Sequence, residues 1–230
     1  MDIAVQEAAQ RLGVSESRIR QFLAAGDLRG RRVGRAWLVD SDDVARLQGR
    51  RRRAGRPAGP KRAWAIIDIL SGGRAPWLSP SERSQVRSYV AQLNEPDSDE
   101  WRSILRGRSE LRPVRAHPAA VARLREVDHV LPAGPAEAAR RGFDLVVVSE
   151  LVPEFYLPLS AWDHVSRQLA LAPSHDADII LRHPMIVWPF DDRDAIPDAA
   201  LAADLLYQAE PRAIRAGQVR LNQLLKETLG

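Results

Sequence analysis

The chain has 230 residues, 45% of them hydrophobic, which is enough apolar material for one large or two modest domains and excludes a disordered chain. It has no cysteine, which excludes a disulfide framework, a zinc finger and a thiol nucleophile and points to an intracellular, cytoplasmic protein. The net charge of +4 is unevenly placed, with 15 Lys and Arg against 7 Asp and Glu in residues 1–62 and 19 against 23 in the rest, so a polyanion-binding front is joined to a mildly acidic back.

Met1 to Glu7 lacks the basic start and apolar core of a signal peptide, and no apolar run approaches bilayer length, so no membrane partner is expected. Residues 6–12 carry Ala8, Ala9 and Leu12 at helical spacing, with Gly13 where a helix stops most cheaply. Val14 plugs the turn, and Ser15 is a good N-cap for a second helix. That helix turns Ile19, Phe22 and Leu23 to one side. Its other side bears Glu16, Ser17, Arg18, Arg20 and Gln21, side chains able to reach base edges and phosphates. Two β-prone pieces around Gly34-Arg35 suggest a hairpin with arginines at its tip and Trp37 packed against Phe22. Asp40-Ser41-Asp42-Asp43 then caps a short helix with Val44, Ala45 and Leu47.

The string Ala8-Ala9, Leu12-Gly13-Val14-Ser15, Ile19-Arg20, Ala25-Gly26-Asp27-Leu28, Arg32-Val33-Gly34-Arg35-Ala36-Trp37-Leu38 and Asp42-Asp43-Val44 resembles the excisionase/MerR-type winged helix-turn-helix. The resemblance covers about a fifth of the chain. It implies a recognition helix over 15–23 and a wing over 30–37. Double-stranded DNA is then the expected partner, contacted by Ser15, Ser17, Arg18, Arg20, Gln21, Arg31, Arg32 and Arg35.

Residues 48–62 have no apolar face, two prolines, three glycines and seven cations, and read as an arginine-rich tether. Arg50, Arg51, Arg52, Arg53 and Arg56 are expected to add phosphate contacts, and Gly55-Arg56-Pro57 is similar to the core of a minor-groove hook, with Ala54 where that motif has arginine. Beyond it, helices are predicted from Ala63 to Leu70, after the Ser79-Pro80 cap, and around Trp101 to Leu105. Others are predicted over 118–130, over 136–141, from Ala161 to Leu171, after Pro197 and after Pro211. Strands are predicted at Phe143 to Val148, the most apolar run, and at Glu154 to Leu157. Ala177 to Arg182 and Met185 to Trp188 read as a pair about His183-Pro184. Together these elements give an α+β chain: a winged helix-turn-helix (1–47), a linker (48–62) and a larger mixed α/β domain (63–230) for partner binding or dimerisation.

In the second region His117-Pro118, Pro132-Ala133-Gly134-Pro135-Ala136-Glu137-Ala138-Ala139, Phe143-Asp144-Leu145, Tyr156-Leu157 and Ile179-Ile180-Leu181-Arg182 follow a similar order to that of the AbiEi-like antitoxins of type IV toxin–antitoxin systems. So do Ala203-Asp204-Leu205-Leu206 and Glu210-Pro211-Arg212-Ala213. The resemblance implies autorepression of an operon and a nucleotidyltransferase-like toxin as partner. The front end departs from that family's usual version in its excisionase-like character.

Asp176-Ala177-Asp178 is similar to the metal-holding pair of nucleotidyltransferases. The phosphate-gripping Gly-Ser turn has no counterpart, because residues 160–175 contain no glycine. The five histidines (117, 129, 164, 175, 183) show no helical pairing with one another. No Gly-x-Ser-x-Gly or phosphate loop is present. The expected function is therefore a non-enzymatic DNA-binding regulator without cofactor or metal. The alternatives are an architectural, DNA-bending excisionase-type protein and a metal-dependent nucleic-acid enzyme using Asp176 and Asp178.

Overall fold

The computed structural model describes residues 2–12, 14–25, 28–34, 36–45, 59–145, 151–191 and 193–230. The chain divides into two compact units, Met1–Pro57 and Ala58–Gly230. No helix among the described residues is long and apolar enough to cross a membrane.

The first unit begins with a short strand, β1 (Asp2–Ala4), followed by α1 (Val5–Leu12) and α2 (Glu16–Ala25). Val5, Ala8, Ala9 and Leu12 recur at the spacing of one helix face, and all four are buried. The turn is closed by the Val14 N–H donating to Ala9 O at 3.0 Å. Ser15 caps α2 through its Oγ, which accepts from the Arg18 N–H at 3.3 Å. Strands β2 (Gly30–Val33) and β3 (Ala36–Asp40) then form the hairpin, and β1 adds to its other side in the order β1-β3-β2, all antiparallel. β1 is an addition to what composition suggests: Ile3 is buried while its neighbours are exposed. Gly30 is glycine for a packing reason, since a Cβ there would lie 2.6 Å from both Leu23 Cδ2 and Leu38 O. Asp40 accepts from the N–H groups of Asp42 and Asp43 and starts a helical turn over residues 41–45. Those bonds hold its carboxyl below the usual range. Buried Asp43 takes the Arg29 backbone N–H and Nε, each at 2.9 Å, and so ties the start of β2 to that turn.

The second unit opens with α3 (Pro60–Leu70), buried on all sides from Ala63 onward and hence a core helix rather than a surface one. The tether expected to reach residue 62 ends earlier, because Pro60, Lys61 and Arg62 form the first turn of α3, with proline at a helix start. α4 (Pro80–Ala91) and α5 (Ser98–Ile104) each begin with a capping box, Ser79 with Glu82 and Asp97 with Glu100. The Ser79 backbone N–H, with Lys61 beside it, holds the Glu82 carboxyl at about 2, against an ordinary 4.5. A depressed carboxyl adds stability that is present above pH 4.5 and lost as pH falls through about 2. Glu82→Gln is therefore expected to flatten the acid limb of the stability–pH curve in that window, as read by thermal melts.

Further on lie β4 (Ser109–Arg115), α6 (Pro118–Leu124), β5 (Leu131–Ala133), α7 (Gly134–Arg140), β6 (Glu154–Tyr156), a 3-10 turn (Leu159–Ala161) and α8 (Trp162–Gln168). They are followed by β7 (Ala172–Pro173), β8 (Ile179–Pro184), α9 (Asp198–Leu205) and α10 (Pro211–Leu229). Among the described residues these strands form one mixed sheet, β5-β6-β8-β4-β7, in which β6 and β8 run parallel and the other neighbours antiparallel. Alternation of side chains sends Phe155, Leu181 and Val114 into a smaller core with Leu124 and Val165. Tyr156 joins the larger core of Trp64, Phe190, Leu201 and Leu221 on the opposite face.

Three strand expectations change. β4 is a main strand of the sheet that pattern reading leaves out. Residues 143–145 of the run expected as the best strand are not in a strand, and 146–148 lie outside the described residues. Met185 to Trp188 does not pair with the preceding segment. β8 instead continues through His183 to Pro184 and is paired by β4 and β6, and Ile186 takes a left-handed φ of +74° in the bend that follows.

α9 and α10 approach closely through Gly217, where a Cβ would lie 2.5 Å from Ala202 O and 3.0 Å from Leu205 Cβ. In an open helix Gly→Ala stabilises by about 1 kcal/mol. Here Gly217→Ala is expected to destabilise by about 1–3 kcal/mol through overpacking, measured by urea denaturation.

Candidate nucleic-acid interface

Ile19 is fully buried and Phe22 and Leu23 are half-buried, so the core side of α2 is fixed by these three. At helical spacing Ser17 and Gln21 then stand opposite, with Arg18 on one flank and Arg20 on the other. Ser15, Ser17, Arg18, Arg20 and Gln21 are all exposed. The structure thus brings the expected readers of the second helix onto one solvent face.

Their electrostatic settings differ. Arg20 Nη2 donates to Glu16 Oε2 at 3.1 Å, an exposed pair one helical turn apart. Arg18 has no carboxylate partner among the described residues. Its Nη1 donates to the neutral Gln21 Oε1 at 2.7 Å, and its guanidinium lies 4.8 Å from the Phe22 ring centroid.

The hairpin sorts the wing cations by register. Val39 is buried, so Trp37, two residues before it in the strand, points to the same side of the sheet. Arg32 lies opposite Trp37 and shares that side. It is the side carrying α2, as the closeness of Gly30 to Leu23 shows. Arg31 lies opposite Leu38 on the reverse side, where its Nε donates to Asp2 Oδ2 at 2.7 Å. Arg32 makes no ion pair among the described residues, whereas Arg31 is half-neutralised and faces away. Arg32→Ala is expected to reduce the salt dependence of duplex binding by about one ion and Arg31→Ala by less, measured by anisotropy titrations at several salt concentrations.

Trp37, expected to pack against Phe22, is 37% exposed. It is an aromatic opposite Arg32 in the hairpin, and only the register reveals that the two share one side of the sheet. Arg35, Arg50, Arg51, Arg52, Arg53 and Arg56 lie outside the described residues.

Elsewhere, the acids weighed as metal ligands have structural partners. Asp176 pairs with Arg115 at 2.7 Å, and Asp178 accepts from the Ala116 N–H at 2.9 Å. No group of three or more His, Asp or Glu among the described residues could hold a metal ion.

A helix, a tight turn, an exposed polar second helix and a hairpin beside it define a helix-turn-helix module with a wing. Residues 4–52 match a family model described as a helix-turn-helix domain, which supports a role as a DNA-binding regulator. Comparison with curated proteins finds no match, and comparison with solved structures finds none.

Proposed function

We propose that this chain is a sequence-specific DNA-binding transcriptional regulator, and more narrowly an autorepressing antitoxin of a type IV, AbiE-like system. The observation that carries the DNA-binding reading is that Arg18, Arg20 and Gln21 stand exposed with Ser17 on the solvent side of α2, while Arg32 is exposed on the side of the hairpin that carries α2. In this reading α2 enters the major groove, Arg32 meets the neighbouring backbone, and Arg50 to Arg53 with Arg56 add phosphate contacts. The second unit is non-catalytic and engages a nucleotidyltransferase-like toxin or a second copy. The protein acts in the bacterial cytoplasm, on the nucleoid.

The narrower reading rests on the order of the AbiEi-like pieces in the sequence. His117 caps α6, Gly134-Pro135 opens α7, Pro211 opens α10, and Asp204 is a fully buried ion partner on α9. A reporter driven by the upstream region of its own gene tests both levels. Expected are repression by the chain, relief of repression by Arg18→Ala with Arg20→Ala, and neutralisation of the adjacent gene product on co-expression. A footprint confined to a recombination attachment site would favour the architectural reading. Nucleic-acid turnover in Mg²⁺ abolished by Asp176→Ala would overturn the non-catalytic one.

A further inference from the structure

The cations of the interface differ in what orders them. A carboxylate orders Arg20 and Arg31 and at the same time cancels part of their charge. Arg18 is ordered by an amide and an aromatic ring, Gln21 at i+3 and Phe22 at i+4, and neither cancels charge. The Gln21 contact uses one proton of one terminal nitrogen, leaving the other guanidinium donors free. Phe22 is half-buried between α2 and the core, so the ring that flanks the guanidinium is itself anchored. Arg18 lies in the first turn of α2, the part of a recognition helix that reaches base edges. A planar fork of donors held in place, with its charge intact, is complementary to two acceptors side by side. In the major groove guanine presents that pair as N7 and O6.

We propose that Arg18 reads a guanine in the bound site and that Gln21 acts as its positioning residue rather than as an independent reader of adenine. The inference rests on the DNA-binding reading above. It reassigns Gln21, whose amide would otherwise pair with adenine N6 and N7.

The test uses the full chain and duplexes selected by it from a random pool, in which each guanine or adenine is replaced in turn by its 7-deaza analogue, lacking the N7 acceptor. One 7-deazaguanine position is expected to weaken wild-type binding about tenfold and to leave Arg18→Ala unaffected. Gln21→Ala is expected to shrink that ratio, whereas a role confined to helix stability would leave the ratio unchanged. Two results would overturn the inference while leaving DNA binding intact: tight, selective binding insensitive to every 7-deazaguanine, or a 7-deazaadenine penalty that Gln21→Ala removes. Failure to select any duplex would remove the underlying reading and this inference with it.

Discussion

Asp204→Ala is expected to lower the stability of the second unit by about 3–5 kcal/mol, the cost of breaking a buried ion pair from one side. Asp204 on α9 is fully buried; its Oδ1 accepts from Arg108 Nη2 at 2.6 Å and the Tyr156 hydroxyl at 2.8 Å and forms an ion pair with Arg182 Nη1 at 3.2 Å. Arg182 is shared with buried Glu154 at 2.5 Å. Two guanidiniums and two carboxylates therefore balance where water does not reach. Burial pushes the Tyr156 phenol up, so it stays protonated and donates. Removing Asp204 leaves two cations facing one anion, with the tyrosine hydroxyl unpartnered. Urea denaturation followed by tryptophan emission reads the change, since Trp64 packs edge-on against Tyr156. A loss below about 1 kcal/mol would mean that solvent or another group compensates, and the network would not be the keystone of the sheet–helix contact.

The second large effect is on binding. Arg18→Ala is expected to cost about 1–3 kcal/mol on a cognate duplex, the value of one good base contact. Arg20→Ala is expected to weaken cognate and unrelated duplexes alike and to reduce the salt slope by less than about one ion, because Glu16 cancels part of its charge. The two side chains leave α2 on opposite flanks and share no partner among the described residues, so their effects should be nearly additive. Both are exposed, and alanine suits a helix, so the melting temperature should not fall. A double variant that binds every operator fragment as tightly as wild type would show that α2 is not the reader.

The first unit was largely legible in the sequence because its determinants are local. The apolar spacing of α1, the Ser15 cap, the Gly34 turn and the Asp40 cap each act within a few residues. The same holds for the Ser79 capping box and the proline starts at 118 and 211. The strands of the second unit were harder. β4 contains Pro113, which argues against a strand. Pro113 O accepts from the Ser174 N–H, so its ring nitrogen faces the sheet edge beside the two-residue β7 and no central ladder bond is lost. His183-Pro184 reads as a turn but closes β8 in register with Ser109 and Glu110. The Arg108–Asp204–Arg182–Glu154 network had no local signature at all. Its members lie on separate segments and meet only when α9 packs on the sheet face carrying Tyr156 and Arg182. The wing illustrates the limit within the interface itself. Arg31 and Arg32 are equivalent as sequence, and only strand alternation puts one with Asp2 and the other beside Trp37.

The most direct measurement is a fluorescence-anisotropy titration of the full chain on duplex from its own upstream region and on a scrambled duplex, across a range of salt. The account predicts tighter binding to the upstream duplex, with log K falling linearly as log salt rises. It also predicts that Arg18→Ala removes the preference between the two duplexes. Binding that is absent, or that neither distinguishes the two duplexes nor responds to salt, would contradict it.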